Sequence, residues 1–148
     1  MPESTTTLSP AEVLDRLVHG VGDKRWDDLP ALYAERTHVV HPMDPGRAGP
    51  LLTRAELEQH FRRGARTLGE IRFEPAAITV HQTADPEVIV AEFEYQGTAD
   101  GSGEPVAVPG VFVLRVRDGQ IVSSRDYFDH LTAARAQGCL DDLIAALR

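Results

Sequence analysis

The stretch Glu104–Asp129, EPVAVPGVFVLRVRDGQIVSSRDYFD, decides the fold. Apolar residues alternate on both sides of Asp118-Gly119, and Asp-Gly between two such runs is the strongest short hairpin signal a sequence carries. Two strands are therefore expected, Glu104–Arg117 and Gln120–Asp129. On the first, Phe112, Leu114 and Val116 share one face, and Arg115 and Arg117 the other. On the second, Val122, Ser124, Asp126 and Phe128 share one face. Ile121, Ser123, Arg125, Tyr127 and Asp129 share the other. If Val122 and Phe128 face the core, Asp126 goes in with them. A carboxylate among aromatic side chains is costly unless it is paired or its pKa rises, which makes Asp126 the most informative residue in the chain.

Upstream, Ile71–His81 and Glu87–Thr98 also read as strands. On the latter, Ile89, Ala91, Phe93 and Tyr95 oppose Glu92, Glu94 and Gln96. Before Gly69 the period is helical. Ser9-Pro10-Ala11-Glu12 is a capping box with proline in the first turn. Val13, Leu14, Leu17, Val18 and Val21 follow at helical spacing, with Gly20 and Gly22 expected to end the helix. Trp26, Leu29, Leu32 and Tyr33 predict a second short helix, and Thr37–His41 a short strand stopped by Pro42. Met43–Leu52 reads as a loop. Thr53 and Glu56 open a third helix carrying Leu57, Phe61 and Leu68. A last helix is expected over Leu131–Leu147 with a break near Gly138. Helices followed by antiparallel strands define an α+β domain. A long curved sheet wrapped around the N-terminal helices would make a cone with an apolar pocket. Residues 9–148 are expected to form one domain, with 1–8 as a flexible N-terminus.

The chain has 148 residues, enough to bury roughly 68–70% of its unfolded surface. A net charge of −8 argues against nucleic acid and anionic membranes as partners. One cysteine, Cys139, excludes an internal disulfide and any cysteine-based zinc cluster. The N-terminus lacks a basic region followed by an apolar core, so a cytoplasmic location is expected. The sequence carries no P-loop, dinucleotide fingerprint or Gly-x-Ser-x-Gly elbow, and no cofactor is expected.

His41 ends the first strand before a proline and a loop, where side chains commonly line a pocket mouth. An inward His41 beside an inward carboxylate could move protons, and the plain alternative is a strand-end histidine bonded to a carbonyl. Asp44 could join them, although Asp-Pro-Gly is ordinary turn chemistry. Tyr95 could donate a hydrogen bond to a substrate oxygen or simply belong to the core. Trp26, Tyr33, Phe61, Phe93, Phe112 and Phe128 are expected as pocket wall or core. His38 and His41, three apart on a strand, point to opposite faces, which argues against a zinc site built from them with Asp44.

Leu29–Tyr33, the strand ending in His41-Pro42, the helix opening at Thr53, Gly110-Val111-Phe112, Asp118-Gly119-Gln120-Ile121-Val122 and above all Arg125-Asp126-Tyr127-Phe128-Asp129 resemble the SnoaL-like branch of the nuclear transport factor 2-like superfamily. The resemblance runs from about Ser9 to the end of the chain. It implies an α+β cone with a deep apolar pocket, a homodimer formed through the outer sheet face, and a small hydrophobic ligand. Relatives include polyketide cyclases, ketosteroid isomerases, dehydratases, limonene-type epoxide hydrolases and non-catalytic binding modules. In the epoxide hydrolases the first aspartate of the Arg-Asp-Tyr-Phe-Asp stretch is catalytic, which corresponds to Asp126. Their other water-activating positions carry Val39, His41, Phe93 and Tyr95 here. The isomerases' base position is occupied by His41, and their first-helix tyrosine has no counterpart. His41 with Asp126 suits the looser acid–base pattern of the cyclases. The resemblance thus implies a cofactor-free cyclase or isomerase acting on a polyketide-like metabolite in a biosynthetic role. The alternatives are a ligand-binding or oligomerisation module and an epoxide hydrolase with an altered catalytic set.

Overall fold

The computed structural model describes residues 6–69, 71–99 and 102–148. Helix α1 (Pro10–Gly22) opens on the capping box: the Ser9 hydroxyl accepts from the Glu12 N–H, and the Glu12 carboxylate accepts from the Ser9 N–H. Its buried face is Val13, Leu14, Leu17 and Val18. Gly20 does not end this helix. It lies inside it, where a Cβ would stand 2.6 Å from Leu29 Cδ2, so the glycine serves close packing.

The expected helix around Trp26–Tyr33 is replaced by a single 3-10 turn, Pro30–Leu32, and Tyr33 opens a strand. Pro30 explains the difference, because it has no N–H to continue a helical ladder through Leu29. Strand β1 (Tyr33–Val40) is followed by a short strand β2 (Leu51–Thr53) where a loop was expected up to Leu52. The two pair antiparallel, and the Thr37 hydroxyl donates to the Leu51 carbonyl at 3.0 Å. Helix α2 (Arg54–Leu68) is capped by Thr53, whose side chain accepts from the Glu56 N–H. Glu56 itself accepts from Leu52 N, one residue beyond the usual capping-box donor.

Strands β3 (Phe73–Gln82), β4 (Val88–Thr98), β5 (Pro105–Arg117) and β6 (Gln120–Phe128) complete a six-stranded open sheet in the order β2-β1-β6-β5-β4-β3. Among the described residues, only β1 and β6 pair in parallel. Asp118 and Gly119 have φ of 52° and 76° between the paired Arg117 and Gln120, the two-residue hairpin geometry their types favour. Helix α1 lies across β3, β4 and β5, and α2 against β1 and β2. The core between them holds Ile89, Ala91, Phe93, Tyr95, Leu114 and Val116. Arg115 and Arg117 face out and pair with Glu87, and Arg115 also with Asp85.

Simple alternation fails at one point on β6. Arg115 pairs with Ser123 but Val116 with Ile121, so Val122 is the extra residue of a bulge. Ile121, not Val122, is therefore the fully buried neighbour of Ser124 and Asp126. The expected last helix resolves into α3 (His130–Ala136) and α4 (Leu140–Ala146), separated by Gly138 at φ 72°. Of the expected flexible N-terminus, residues 1–5 lie outside the described residues. Leu8 packs against the core, and Thr7 and Leu8 lie over Gly119.

Candidate functional site

The parallel β1–β6 register builds the site. Val39 stands beside Ser124 and Val40 beside Arg125, so the next inward pair along the two strands is His41 and Asp126. His41 Nε2 lies 3.5 Å from Asp126 Oδ2. The other carboxylate oxygen, Oδ1, accepts from the Ser124 hydroxyl at 2.5 Å. Asp126 is only 6% exposed. Burial pushes its pKa up to about 7, and the Ser124 bond works against that rise. Burial and the neighbouring His130 push the His41 pKa down, with Asp44 opposing.

The pair opens into a cavity of about 380 Å³. Trp26, Tyr33, Phe61, Tyr95, Phe112 and Phe128 all line it. Phe93 does not line it. Its ring is held edge-on between Tyr95 (5.4 Å, 76°) and Phe112 (4.8 Å, 80°), behind the wall. Tyr95 presents its ring to the cavity, but its hydroxyl donates to the Val18 carbonyl at 3.1 Å. Burial, with Asp126 nearby, raises the pKa of both Tyr33 and Tyr95. Tyr33 is fixed from behind by Arg54, whose guanidinium donates twice to the Tyr33 carbonyl, at 3.0 and 2.9 Å.

Asp44 fulfils both of its readings. It lines the cavity, and it also closes a turn by accepting from the N–H groups of Gly46 (3.0 Å) and Ala48 (3.2 Å). His38 is exposed and lies away from the cavity. Among the described residues no three His, Cys, Asp or Glu side chains are arranged to hold a metal. Cys139 is a half-buried free thiol.

Two further histidines complete this end of the cavity. His60 projects from the inner face of α2, and its ring stacks on His41 at 5.0 Å and 31°. Burial, with the neighbouring His41, pushes its pKa down to about 4. His130 opens α3, and its ring lies 6.4 Å from His41 at 76°. The signal for His60 is present in the sequence: at helical spacing, residues 57, 60, 61 and 64 share one face. His130 is placed by Asp129, which caps α3 through Thr132 N (3.0 Å) and Thr132 Oγ1 (2.6 Å). The last aspartate of the Arg-Asp-Tyr-Phe-Asp stretch is thus structural.

A carboxyl group poised near neutrality can both take and give a proton. Here such a group stands beside an imidazole at the wall of a largely apolar cavity. A family model described as a SnoaL-like domain matches residues 14–124. The chain belongs to the SnoaL-like domain family. Asp126 and His130 fall just beyond the matched span of this SnoaL-like chain. An uncharacterised PhzA/B-like protein of Pseudomonas aeruginosa is 39% identical over 61 residues, covering 41% of this chain and 43% of that protein. The matches to curated relatives span less than half the length of those proteins. A solved Bacillus subtilis structure with a provisional isomerase assignment superposes with a TM-score of 0.75 at 25% identity, covering 87% of this chain and 92% of that one. A Xanthomonas campestris structure provisionally assigned as a polyketide cyclase gives 0.64 at 21% identity, covering 86% and 94%. The SnoaL-like chain has the α+β fold of the nuclear transport factor 2-like superfamily. No helix among its described residues is long and apolar enough to cross a membrane.

Proposed function

We propose that this SnoaL-like protein is an acid–base enzyme that cyclises or isomerises a small apolar carbonyl compound of polyketide type. The observation that carries the reading is the contact between His41 Nε2 and Asp126 Oδ2 at 3.5 Å inside the cavity. Asp126, as the carboxylate, removes a proton from the carbon next to the substrate carbonyl. Near neutral pH about half of it is ionised, since its pKa is about 7. His41 donates to the oxygen on which negative charge develops. The protonated Asp126 then returns its proton to a different carbon, which is isomerisation. Alternatively, the enolate carbon attacks a second carbonyl of the same folded substrate, that carbonyl's π bond opens to an alkoxide, and the protonated Asp126 gives its proton to the alkoxide, which is cyclisation. The aromatic wall holds the substrate in a reactive conformer and keeps the carboxyl dry. A positioned acid–base pair of this kind contributes roughly 10²–10⁴ in rate.

The reading is supported by membership of the SnoaL-like family and by the isomerase and polyketide cyclase assignments of structural neighbours. The proposed assembly is a homodimer paired through the sheet face turned away from α1, where Val90, Val111 and Val113 are half-buried and Tyr127 is exposed.

A non-catalytic ligand-binding module is the second reading. It is favoured by the engagement of the Tyr95 hydroxyl with Val18, which removes one donor from the cavity. One experiment separates the two: exchange of the α-hydrogens of 2-tetralone in D₂O, followed by NMR. The enzyme reading expects catalysed exchange that Asp126→Asn abolishes while 2-tetralone still binds. Binding without exchange by the unmodified protein, or undiminished exchange by Asp126→Asn, would overturn it.

A further inference from the structure

Three imidazoles converge on one end of the cavity from three separate elements: His41 after β1, His60 on α2 and His130 at the start of α3. Their rings pack against one another and against Phe128, which lies 5.8 Å from His130 at 87°. The Nε2 atom of His130 is buried and has no hydrogen-bond partner. An unpartnered buried polar atom is costly, and since His130 lines the cavity, a turn of its ring that brought this nitrogen to a ligand oxygen would relieve the cost.

The charged groups facing the cluster are few. Asp126 stands beside His41, and Asp44, with both oxygens engaged by backbone N–H groups, is close enough for its charge to act on all three rings. Arg63 stands near His60, and Asp129, tied to Thr132, near His130. Lys24 is the sole ammonium or guanidinium group lining the cavity among the described residues, and its Nζ is bonded to the Gly69 carbonyl.

We propose that His60 and His130, beside His41, bind an acidic oxygen of the ligand, a carboxylate or an enol or phenol oxygen at the end of an apolar body, with an imidazole of the cluster holding the proton opposite it. Oxygen of this kind offers several lone pairs to several N–H groups at once, which the convergent rings match. Its charge could not enter an apolar cavity unpaired, and a neutral imidazole provides the partner by accepting one proton. For a carboxylate the proton comes from solvent, so binding takes up a proton. For a phenol or enol it comes from the ligand, so no net uptake occurs. Burial lowers the pKa of all three histidines, which keeps the free cluster neutral, and the charge of the bound oxygen must offset that burial for a ring to accept the proton. The inference deepens the proposed function, because it rests on the cavity being the substrate site and assigns the substrate a second, acidic end.

Isothermal titration calorimetry of the full chain with 2-naphthoate, 2-naphthol and methyl 2-naphthoate tests it, at pH 6 and 8, in buffers of different ionisation enthalpy. Expected is binding of the acid about tenfold or more tighter than the ester at pH 6, with proton uptake and weaker binding at pH 8. Tighter binding of 2-naphthol than of the ester, without net uptake, assigns the oxygen to a phenol or enol instead. His60→Gln and His130→Gln should each cost about tenfold in affinity for the acidic ligand and leave the ester unchanged. Asp126→Asn should keep the proton uptake, because an imidazole and not this carboxyl takes the proton. An ester that binds as well as both acidic ligands, unaltered affinity in both histidine variants, or uptake lost in Asp126→Asn would overturn the inference. Failure of the proposed function reads differently, as naphthoate binding without any α-hydrogen exchange.

Discussion

The Ser124 hydroxyl donates to Asp126 Oδ1 from the same strand, two residues away, and both side chains are buried. Two residues apart on a strand is one step along the same face, so the local geometry of β6 supplies the contact without help from the rest of the fold. The bond favours the ionised carboxylate and opposes the burial that drives the pKa up. In Ser124→Ala the Asp126 pKa should therefore rise above about 7. A hydrogen bond to a charged group is worth roughly 1.5–3 kcal/mol, which corresponds to a shift of about one to two pH units. The pH midpoint of 2-tetralone exchange reads it; a midpoint unchanged or lowered would contradict a Ser124 bond that holds the Asp126 pKa down.

The pH dependence of stability has a sign that can be worked out for two groups. The unfolded Asp126 has a pKa of about 3.9, and the folded one about 7. Between those values the folded chain holds a proton that the unfolded chain has lost, so this group makes stability fall as pH rises, by on the order of 4 kcal/mol across the window. His60 has the opposite sense. Its folded pKa is about 4 against about 6.5 unfolded, so between these values it makes stability rise with pH. The two contributions oppose each other over the shared range. Asp126→Asn removes the first and leaves the second, so its Tm should climb between pH 4 and 6.5 more steeply than that of the unmodified protein. At pH 8 the variant should be the more stable of the two, because no buried carboxylate remains to be ionised. Equal Tm values across the whole range would contradict a buried, elevated Asp126.

The Asp118-Gly119 hairpin, the Ser9 and Thr53 caps and the inward face of β4 depend on local chemistry alone, and all were legible. The inward turn of Asp126 was legible as well, since alternation between it and Phe128 is not interrupted. Val122 was misassigned because a bulge is a negotiation between two strands and leaves no mark in one of them. Trp26–Tyr33 has helical spacing, but Pro30 and the pairing of Tyr33 beside Ile121 override it. Helical spacing puts His60 on the inward face of α2 with Leu57 and Phe61, but its meeting with His41 and His130 is set by where α2, α3 and the end of β1 converge, which no local period encodes.

Gly97 tests the packing of the sheet edge. A Cβ there would stand 2.5 Å from the Arg72 carbonyl oxygen and 2.7 Å from the Phe73 ring, and the carbonyl cannot move without disturbing the entry to β3. Gly97→Ala should therefore destabilise the protein by roughly 1–3 kcal/mol. Chemical denaturation measures it, and a neutral or stabilising change would show that this approach is looser than described.

The proposed dimer is tested at Val113, which points away from the core between Val90 and Arg125. Val113→Glu should shift sedimentation from dimer to monomer without altering the far-ultraviolet circular dichroism. An unmodified protein that sediments as a monomer, or a variant that stays dimeric, would exclude pairing through this face.

The proposed chemistry depends on one inward carboxyl group held near neutrality beside His41. A ¹³C NMR titration of the Asp126 carboxyl carbon, assigned by its absence in Asp126→Asn, tests this without any substrate. The midpoint should lie near pH 7. A midpoint near the ordinary carboxylate value of about 4 would contradict it.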